Sequence, residues 1–549
     1  MLAWPLRHDG VDSAPAAWSG CGMLQRCYSL SPRSRLERSG GADRLRCDHP
    51  LQSIALNESA RRLLGALRPG VPLEAVAAGV TAQTVEFLDG LALGGALRAD
   101  YRLLPAHELA AFDVVIPAYG PLATVGRDLR RCLAALAAQR YPLERVRVTL
   151  VDDASPEPLQ VALGEPPPGL RLRWLRLSRN AGPASARNAG VAAPWQDSPV
   201  DDPRQPVSAE QPAPWLAFVD SDCVPQPDWL AGLAALLEDP HVAAAGGAVR
   251  GLAQAGLLAR YEHARSSLHL GERPGPVGLA EGAPAYLPSC NLGVRRSVYE
   301  AVGGFREGWR FGEDVDLCWR LRAAGHGLFY HPAAAVAHAH RTRWGPFLQR
   351  RRAYGRSEAA LRKAHPQRFE PLLRPGPALV LGGCALGLAS GGAGAAVGAL
   401  LALLALLGLA ARPWLRNRRR ALVDPGDPGW PLRALLAAGL RRTAARLVLQ
   451  AQALNRQAAL PGLLAAALLP ALWPLAAAVF AAGALGEWRA RRPGPDLGRL
   501  GVGIFAVGYA AECLAYSLGR LEGALALRLR TLWERGRRRP RGGPGPRGG

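Results

Sequence analysis

Cysteine patterns that would mark a metal site or a disulfide framework are missing from this 549-residue chain. Its nine cysteines are scattered, and none forms a C-x-x-C pair. A structural zinc site is therefore not expected, and an odd, dispersed set of cysteines is typical of a reducing compartment. The first twenty residues also lack a basic segment followed by an apolar run, so we expect no secretory signal.

Acidic residues are few relative to basic ones, and almost none of the basic residues is lysine. The 67 Lys and Arg residues against 44 Asp and Glu give a formal net charge of +23. Negatively charged partners such as phosphates or anionic lipids are compatible with this excess. A basic stripe interleaved with aromatic residues is absent from the sequence, so we predict that the protein does not bind nucleic acid.

The length and the shifts in composition predict several domains. Residues 1–46 have little periodicity, which indicates a disordered extension or a start codon assigned too early. Residues 47–108 predict a small helical domain, with Asn57 as the N-cap of its first helix. Both a packing module and a binding module are compatible with that segment.

From Asp113 the chain alternates between strand and helix patterns. The apolar stretches "DVVIPAYG", "VRVTLVDDAS", "LRLRWLRLS" and "WLAFVD" are separated by segments with helical spacing. This alternation predicts an α/β domain over residues 111–370 with parallel strands. Ligands of such sheets bind beyond the carboxyl ends of the strands. Five side chains fall at those ends: Tyr119, Asp152, Asp153, Asp220 and Asp222.

Long apolar runs follow this domain. Residues 378–411 contain no charged residue, and the runs 459–486 and 501–517 are also apolar, although the last contains Glu512. Thirty-four helical residues would extend about 50 Å, more than the ~30 Å hydrocarbon core of a bilayer. The first run therefore predicts either one tilted span or a hairpin broken at "SGGAG".

We predict a membrane-associated helical region over 375–520, with two to four membrane segments, and a basic disordered tail over 521–549. The alternative is a set of large buried helices in a soluble protein. Arginine clusters at 416–420 and 489–492 favour the cytoplasmic side for the segments that contain them.

Two acids, Asp220 and Asp222, end an apolar strand in the stretch "AFVDSDC". Buried acids are costly unless they are paired or bind a metal. Carboxylates in such a pair can hold Mg²⁺ or Mn²⁺, with phosphates completing the coordination shell. The pair therefore predicts half of a metal–diphosphate site. A solvated turn is the alternative.

Acids in two other segments also have possible roles in binding or catalysis. A carboxylate in "VDDAS" can accept the imide N–H of a uracil base, although an Asx turn or a helix N-cap is also compatible. Glu313 and Asp314 begin a helix in "RFGEDVDLCWRLRAAG". One of them can act as a general base on a sugar hydroxyl, an effect worth ~10²–10⁴-fold in rate. The alternative is a favourable interaction with the helix dipole.

Basic and polar residues suggest phosphate contacts. Arg187 lies beside glycines in "RNAGPASARNAG", where it can contact phosphate oxygens or simply belong to a helix start. Gln349 and Arg352 have a Q-x-x-R spacing that can reach a diphosphate or an acceptor, or form a solvated basic face. Three histidines can either join the metal or the diphosphate, or have structural roles: His331, His338 and His340.

Taken together, these motifs resemble a known family. The strings "VVIPAYG", "VDDAS", "GPASARNAG", "FVDSDCVPQPDWL", "VGGF" and "GEDVDLCWRL" occur in the order typical of family 2 glycosyltransferases with a GT-A fold. The longer strings "RYEHARSSLHLGERPGPV", "AVAHAHR" and "RRRAYGRSEAAL" are similar to the mycofactocin system glycosyltransferases. The resemblance covers about 51–370, and the apolar C-terminal region agrees in kind.

This resemblance implies a fold and an activity. The fold is a GT-A mixed sheet flanked by helices, with a small N-terminal winged-helix-like domain and C-terminal membrane helices. The activity is an inverting transfer of glucose from UDP-glucose to the peptide-derived redox cofactor mycofactocin, which builds a β-linked oligoglucose chain. The implied partners are UDP-glucose, the mycofactocin precursor or its peptide-derived intermediate, Mg²⁺ or Mn²⁺, and a cell membrane crossed several times, with the catalytic domain facing the cytoplasm.

The resemblance also assigns roles to individual residues. Asp314 corresponds to the catalytic base, with Glu313 beside it near the acceptor. Asp222 corresponds to the metal ligand. The remaining correspondences are with nucleotide-sugar contacts: Pro117, Tyr119 and Asp153 at the base, Arg187 at a phosphate or the nucleotide, and Asp220 at the ribose or the metal.

Two departures from related patterns are informative. The N-terminal segment is similar to peptide-recognition domains, which typically have strands before their helices, but the strand pattern around 41–56 is weak. Processive polysaccharide synthases have Q-x-x-R-W, and here Ala353 replaces the tryptophan, which argues against a long-chain synthase.

Two other functions compete with the leading one. The first is transfer of rhamnose or another sugar to a cell-wall polysaccharide or a lipid. The second is a non-catalytic membrane scaffold that binds a peptide. The simultaneous presence of four acids argues against the scaffold: Asp153, Asp220, Asp222 and Asp314.

Overall fold

Three units follow one another along the chain in the computed structural model. They are a small N-terminal unit, a central α/β unit and a set of C-terminal helices. The structure describes residues 24–39, 42–48, 51–105, 109–195, 211–252, 256–279, 284–369, 371–390, 392–423, 430–490 and 500–538.

The N-terminal unit combines strands with short helices. Strands β2, β3 and β4 form an antiparallel meander, and β1 pairs with β5. The Asn57 side chain accepts a hydrogen bond from the Ala60 amide at 2.8 Å, so the predicted N-cap is confirmed. The bounds are β1 (Leu24–Leu30), β2 (Ser34–Ser39), β3 (Ala42–Asp48), β4 (Leu51–Leu56), α1 (Glu58–Ala66), α2 (Leu73–Val76), α3 (Ala82–Leu93) and β5 (Leu97–Leu103).

The expectations for this unit need correction. Disorder over 1–46 is wrong for residues 24–39 and 42–46, which form β1, β2 and most of β3, and the domain is not purely helical. The pattern was obscured because arginines interrupt the apolar alternation, and Arg26 and Arg46 are themselves buried. The partner of β1 is also β5, far along the chain, which local periodicity does not reveal. Residues 1–23 lie outside the described residues.

The central unit is built on an eight-stranded mixed sheet with the order β13-β15-β11-β14-β9-β6-β7-β8, and a smaller sheet has the order β10-β16-β12. The strands are β6 (Phe112–Ala118), β7 (Val146–Asp152), β8 (Arg171–Arg176), β9 (Trp215–Val219), β10 (Cys223–Pro225), β11 (Ala244–Gly246), β12 (Val249–Gly251), β13 (Gly275–Pro276), β14 (Asn291–Arg295), β15 (Leu328–Tyr330) and β16 (Val336–His338). The helices are α4 (Leu122–Ala137), α5 (Leu159–Leu163), α6 (Pro183–Ala192), α7 (Trp229–Leu237), α8 (Leu257–Arg265), α9 (Arg296–Ala301), α10 (Glu313–Ala323) and α11 (Trp344–Ala364). The predicted mixed sheet flanked by helices is confirmed.

Both faces of the main sheet are covered, which explains the continuous apolar strands. In β6, Val114 and Ile116 belong to a core cluster that contains Leu129 of α4. Val115 points to the opposite face and belongs to a second cluster that contains Ala184 of α6. Because β6, β7 and β9 are adjacent and parallel, their carboxyl ends meet at one edge of the sheet.

The C-terminal region is helical: α12 (Pro375–Ser390), α13 (Gly392–Val423), α14 (Leu432–Leu468), α15 (Trp473–Ala490) and α16 (Val502–Arg538). Among the residues that the structure describes, three helical segments are long and apolar enough to cross a membrane: Gly392–Arg416, Pro470–Ala490 and Val502–Arg530. Helices α12 and α13 pack tightly, since a Cβ on Gly383 or Gly398 would meet backbone atoms of the other helix. The first apolar run is therefore a hairpin. Disorder over 521–549 is wrong for 521–538, which belong to α16, and 539–549 lie outside the described residues.

The N-terminal unit is joined to the central unit through buried polar contacts. Arg26 forms an ion pair with Asp239, and both side chains are only 3% exposed. Tyr101 donates a hydrogen bond to Asp89 and packs edge-to-face against Phe329 of β15. A buried ion pair that loses one partner leaves an unpaired charge in the interior, so this junction depends on both members.

We expect Asp239→Asn to lower the free energy of unfolding by about 3–5 kcal/mol, because Arg26 would keep its charge without a partner. The matched control is Asp228→Asn, which breaks the exposed Arg140–Asp228 pair and should cost at most about 1 kcal/mol. Chemical denaturation of the detergent-solubilised protein, followed by tryptophan fluorescence, measures both. Equal losses in the two variants would contradict the role of this junction.

Candidate active site

A cavity of about 1180 Å³ opens at the carboxyl edge of the main sheet. Its walls come from the ends of β6, β7 and β9, the starts of α6 and α10, and the first half of α11. All eight residues that the sequence analysis assigned to the site line this cavity: Pro117, Tyr119, Asp153, Arg187, Asp220, Asp222, Glu313 and Asp314. The fold therefore brings these five acids together from three separate chain segments.

The two adjacent acids of "VDDAS" face different partners. Asp152 is tied to its own turn, where its carboxylate accepts from the amides of Ser155 at 2.8 Å and Leu159 at 3.2 Å. Asp153 lines the cavity and accepts from the amides of Ala181 at 2.7 Å and Gly182 at 2.8 Å. These amides hold the Asp153 carboxylate in one orientation at the end of β7.

The rim beside Asp153 is aromatic and open. Tyr119 follows β6 and is 54% exposed, so its ring is free to contact a bound molecule. On the other side, Gly182 adopts φ +90° and lies close to the side chain of Arg310. A side chain at this position would be strained, so the tight turn before α6 favours glycine.

Arg187 connects the two sides of the cavity. It is buried, and its terminal nitrogens donate to Asp220 at 2.5 Å and to Glu313 at 3.0 Å. Burial lowers the pKa of Arg187, but the charges of Asp220 and Glu313 outweigh that effect, so the pKa is raised and the guanidinium stays charged. Its Nε has no hydrogen-bond partner among the described residues. In this structure the guanidinium binds the carboxylates of Asp220 and Glu313.

Asp222 lies against a histidine on a neighbouring strand. Strands β10 and β16 pair so that Cys223 stands opposite His338, which places the Asp222 Oδ1 atom 3.6 Å from the His338 Nε2 atom. Arg341 approaches the second oxygen of Asp222 at 3.4 Å. Burial raises the pKa of Asp222, but the charges of His338, Arg341 and Arg350 outweigh burial and lower it, so this acid is a carboxylate at neutral pH.

The donors around Asp222 fit a divalent cation. Ligand atoms of Asp222, Cys223 and His338 all lie within 4.8 Å of one another. A carboxylate with an imidazole suits first-row divalent ions, whereas a thiolate selects softer metals. Asp220, which the sequence paired with Asp222, is instead bonded to Arg187.

The histidines of "YHPAAAVAHAH" separate in space. His338 and His340 line the cavity, and their Nδ1 atoms are 3.2 Å apart, which is hydrogen-bond distance. His331 follows β15, outside the cavity lining, where its Nδ1 atom accepts from the Ala333 amide at 3.2 Å.

Asp314 differs from Asp222 in its surroundings. Gly312 adopts φ +77° immediately before α10 and turns the chain so that Glu313 and Asp314 begin the helix at the cavity. The Asp314 carboxylate accepts from its neighbour Val315 at 2.8 Å and from the Ser289 amide at 3.3 Å. Burial, reinforced by the charge of Glu313, raises the pKa of Asp314 to about 7. This acid can therefore gain or lose a proton near neutral pH.

Sequence reasoning missed several cavity residues on α8, on α11 and in the segment that precedes α11. Gln349 lines the cavity as expected, but Arg352 of the Q-x-x-R spacing points away and pairs with Glu522 of α16. The cavity residues that were missed include Glu262, Arg341, Arg350, Arg351 and Tyr354. For α11 the helical period was the available signal, because Pro346, Gln349, Arg350 and Ala353 share one face.

Residues 110–356 match the family model described as "Glycosyltransferase like family 2". The chain is 37% identical over 260 residues to the "Pre-mycofactocin glycosyltransferase" of Mycobacterium tuberculosis (strain ATCC 25618 / H37Rv), which is 47% of this chain and 51% of that protein. It is 25% identical over 230 residues to the "Glycosyltransferase AglE" of Haloferax volcanii, which is 40% of this chain and 66% of that protein. The chain thus spans about half the length of the first of these relatives.

Two solved structures are also similar. The mannosyltransferase PcManGT from Pyrobaculum calidifontis, in complex with GDP-Man and Mn²⁺, aligns with a TM-score of 0.36 at 17% identity, over 67% of this chain and 98% of that one. The S. aureus TarS 1-349 fragment, in complex with UDP-GlcNAc, aligns with a TM-score of 0.34 at 18% identity, over 61% and 90%.

The family resemblance that the motifs indicated is confirmed by the family model and by the sequence relatives. The matched segment contains the main sheet, the cavity acids and the first half of α11. Residues 110–356 of this chain therefore match a glycosyltransferase family 2 domain, and the chain is similar in sequence to the pre-mycofactocin glycosyltransferase of Mycobacterium tuberculosis.

Proposed function

We propose that this protein is an inverting glycosyltransferase that transfers glucose from UDP-glucose to the peptide-derived redox cofactor mycofactocin and builds a β-linked oligoglucose chain. The acceptor is supported by the similarity to the pre-mycofactocin glycosyltransferase. The observation that carries the enzymatic part is a pair of acids with opposite proton affinities in one cavity. Asp222 has a lowered pKa, and Asp314 has a pKa raised to about 7.

The donor occupies the side of the cavity formed by β6, β7 and β9. Pro117, Tyr119 and Asp153 contact the nucleotide base, and Asp220 lies near the ribose or the metal. Asp222 and His338 would hold Mg²⁺ or Mn²⁺. When bound, this cation neutralises charge on the diphosphate, which makes it a better leaving group. Arg341, beside Asp222, adds positive charge at the same place.

The acceptor hydroxyl lies at Asp314. The Asp314 carboxylate takes the hydroxyl proton while the oxygen forms a bond to the anomeric carbon of glucose. The bond from that carbon to the diphosphate breaks on the opposite face, and UDP leaves with the electron pair, so the configuration inverts. Glu313, held by Arg187, keeps a negative charge beside Asp314 and thereby keeps it basic.

The N-terminal unit and the C-terminal helices bind the acceptor and the membrane, respectively. The N-terminal unit has strands before its helices, an order typical of peptide-recognition domains, which supports capture of a peptide-derived acceptor. The apolar C-terminal helices attach the enzyme to a cell membrane, with the catalytic domain on the cytoplasmic side, where sugar nucleotides are available. Transfer of rhamnose or another sugar to a lipid or a polysaccharide remains the enzymatic alternative.

The direct test offers UDP-glucose or dTDP-rhamnose, with the mycofactocin intermediate as acceptor, to the full chain in detergent. We expect glucose transfer, detected by mass spectrometry, and a loss of about 10²–10⁴-fold in rate for Asp314→Asn, because the base is gone. The control Asp228→Asn changes an exposed acid and should keep the wild-type rate. Transfer from dTDP-rhamnose alone would support the alternative, and equal rates in Asp314→Asn and wild type would refute the base assignment.

The pH dependence follows from the raised pKa of Asp314. Below about pH 7 the acid is protonated and cannot accept a proton, so the transfer rate should fall about tenfold per pH unit and level off above pH 7. Glu313→Gln removes the neighbouring charge and should move this rise to lower pH. Glu300→Gln is the matched control, since Glu300 is an exposed glutamate on α9. A pH profile of kcat that Glu313→Gln leaves in place would argue against this coupling.

The cation site has its own test. Asp222→Asn and His338→Ala should each weaken the Mn²⁺-dependent affinity for UDP by about tenfold or more, because each removes a ligand. His331→Ala serves as control, since that ring lies outside the cavity lining. Isothermal titration calorimetry with UDP, with and without Mn²⁺, measures the effect. Unchanged Mn²⁺ dependence in Asp222→Asn would show that the ligand assignment is wrong.

A further inference from the structure

Length and composition do not distinguish the segment Val502–Arg530 from the two other candidate membrane spans. Burial does: 44% of its apolar window is buried inside the protein, against 17% for Gly392–Arg416 and 11% for Pro470–Ala490. Helix α16 therefore has a protein partner along one face, whereas most of the surface of the other two segments is available to lipid.

The partner is α11, the helix that forms one wall of the catalytic cavity. The two backbones touch at glycines: a Cβ on Gly355 would overlap the Tyr516 carbonyl oxygen, and one on Gly519 would overlap the Arg352 carbonyl oxygen. The same close approach recurs at Gly523, beside Arg356. Helix α16 thus runs side by side with an arginine-rich helix of the α/β domain.

Ion pairs accompany this contact. Arg520 donates to Glu358 at 2.8 Å, and Arg352 donates from Nε to Glu522 at 2.9 Å. Glu512 accepts from Tyr261 at 2.7 Å and lies 3.6 Å from Arg351. Charged side chains in a bilayer core are costly. If α16 crossed the membrane, all of these ion pairs and the neighbouring part of α11 would lie in the hydrocarbon core.

One arginine fixes the level of α16 relative to a neighbouring helix. Arg265 lies 3.5 Å from Glu487, close to the end of the candidate span Pro470–Ala490. It also lies 3.9 Å from Glu512, which is in the first half of α16. Because one arginine reaches both glutamates, the charged end of α15 and the first half of α16 lie at the same depth relative to the membrane. This depth is where α15 would leave the bilayer, which fits a helix α16 that lies at the membrane surface.

The face of α16 that points away from α11 is apolar. Exposed apolar residues recur along this face every three or four positions, once Ala511 is counted between Val507 and Leu514. We call this set the apolar stripe: Ile504, Val507, Leu514, Leu518, Leu521, Leu525 and Leu529. From Val502 to Leu527 the charged residues are Glu512, Arg520 and Glu522, and all three pair with the α/β domain. An exposed apolar surface of this length marks an interaction site.

The charge that follows the apolar stripe favours lipid as its partner. Residues 528–549 contain eight arginines and one glutamate. An apolar helical face next to a basic segment is the combination that binds anionic membrane surfaces. Helix α15 packs against α16 through Phe480 and Tyr509 and belongs to the candidate span Pro470–Ala490. The apolar stripe of α16 therefore continues the apolar surface of α15.

We propose that α16 is an interfacial helix that lies in the plane of an anionic bilayer surface, with its apolar stripe in the acyl boundary and its opposite face bound to α11. Arg351 and Glu262 line the catalytic cavity, and Arg351 is paired with Glu512 of α16. The helix therefore holds the cavity at the membrane surface. This inference does not depend on the sugar or the acceptor, and so goes beyond the proposed function.

The test measures depth in the bilayer at two pairs of positions. Val507→Cys and Leu525→Cys are 18 residues apart on the apolar stripe, and Val397→Cys and Leu415→Cys are 18 residues apart on α13; all four native side chains are exposed. Each introduced cysteine, one per variant, carries a nitroxide label on the full chain, in vesicles of phosphatidylcholine and phosphatidylglycerol. Cys21→Ala and Cys384→Ala form the background, because the other cysteines are buried. Retained UDP binding verifies the fold.

The two placements give different depths. Eighteen helical residues extend about 27 Å, so labels on a spanning helix differ in depth by roughly that amount, as expected for the α13 pair. Labels on an interfacial helix both lie about 5–10 Å below the headgroups. Similar shallow depths at 507 and 525 would support the proposal. A difference near 27 Å would overturn it, and so would full exposure of both labels to water.

Discussion

The candidate site depends on one buried cation, Arg187, held between Asp220 at the end of β9 and Glu313 at the start of α10. Three acids, Asp220, Glu313 and Asp314, meet in this region, and unpaired buried acids repel one another or take up protons. Arg187 compensates two of them and leaves Asp314 as the acid whose proton affinity is raised. The same residue links the end of β9 to the start of α10, where the proposed base lies.

Two aspartates with the same intrinsic chemistry differ because their neighbours differ. Asp222 faces His338, Arg341 and Arg350, which outweigh the effect of burial and keep it charged. Asp314 is beside Glu313, which adds to the effect of burial and raises its pKa. A transfer reaction needs both states in one cavity: a permanent carboxylate for a cation, and an acid that exchanges a proton near neutral pH.

The large arginine excess has an internal explanation as well as an external one. Arg26, Arg187, Arg265 and Arg351 are buried and paired with acids, and each pair joins two parts of the chain. The first links the N-terminal unit to the α/β domain, and the second links the end of β9 to the start of α10. The last two connect α8 and α11 to the C-terminal helices. The planar guanidinium suits such sites because its donors match carboxylates in fixed geometry.

The sequence by itself determined the elements whose signals are local. Apolar runs ending in Asp153 and Asp220 established the parallel strands and the edge where their acids meet, and the uncharged C-terminal runs established long apolar helices. Only the tertiary structure decided which side chains meet across distance: β1 with β5, Asp222 with His338, and Glu512 of α16 with Arg351. Periodicity reports which face of an element is apolar, but it does not report what covers that face. The buried arginines made this harder, because residues typical of a surface form the contacts that hold the units together.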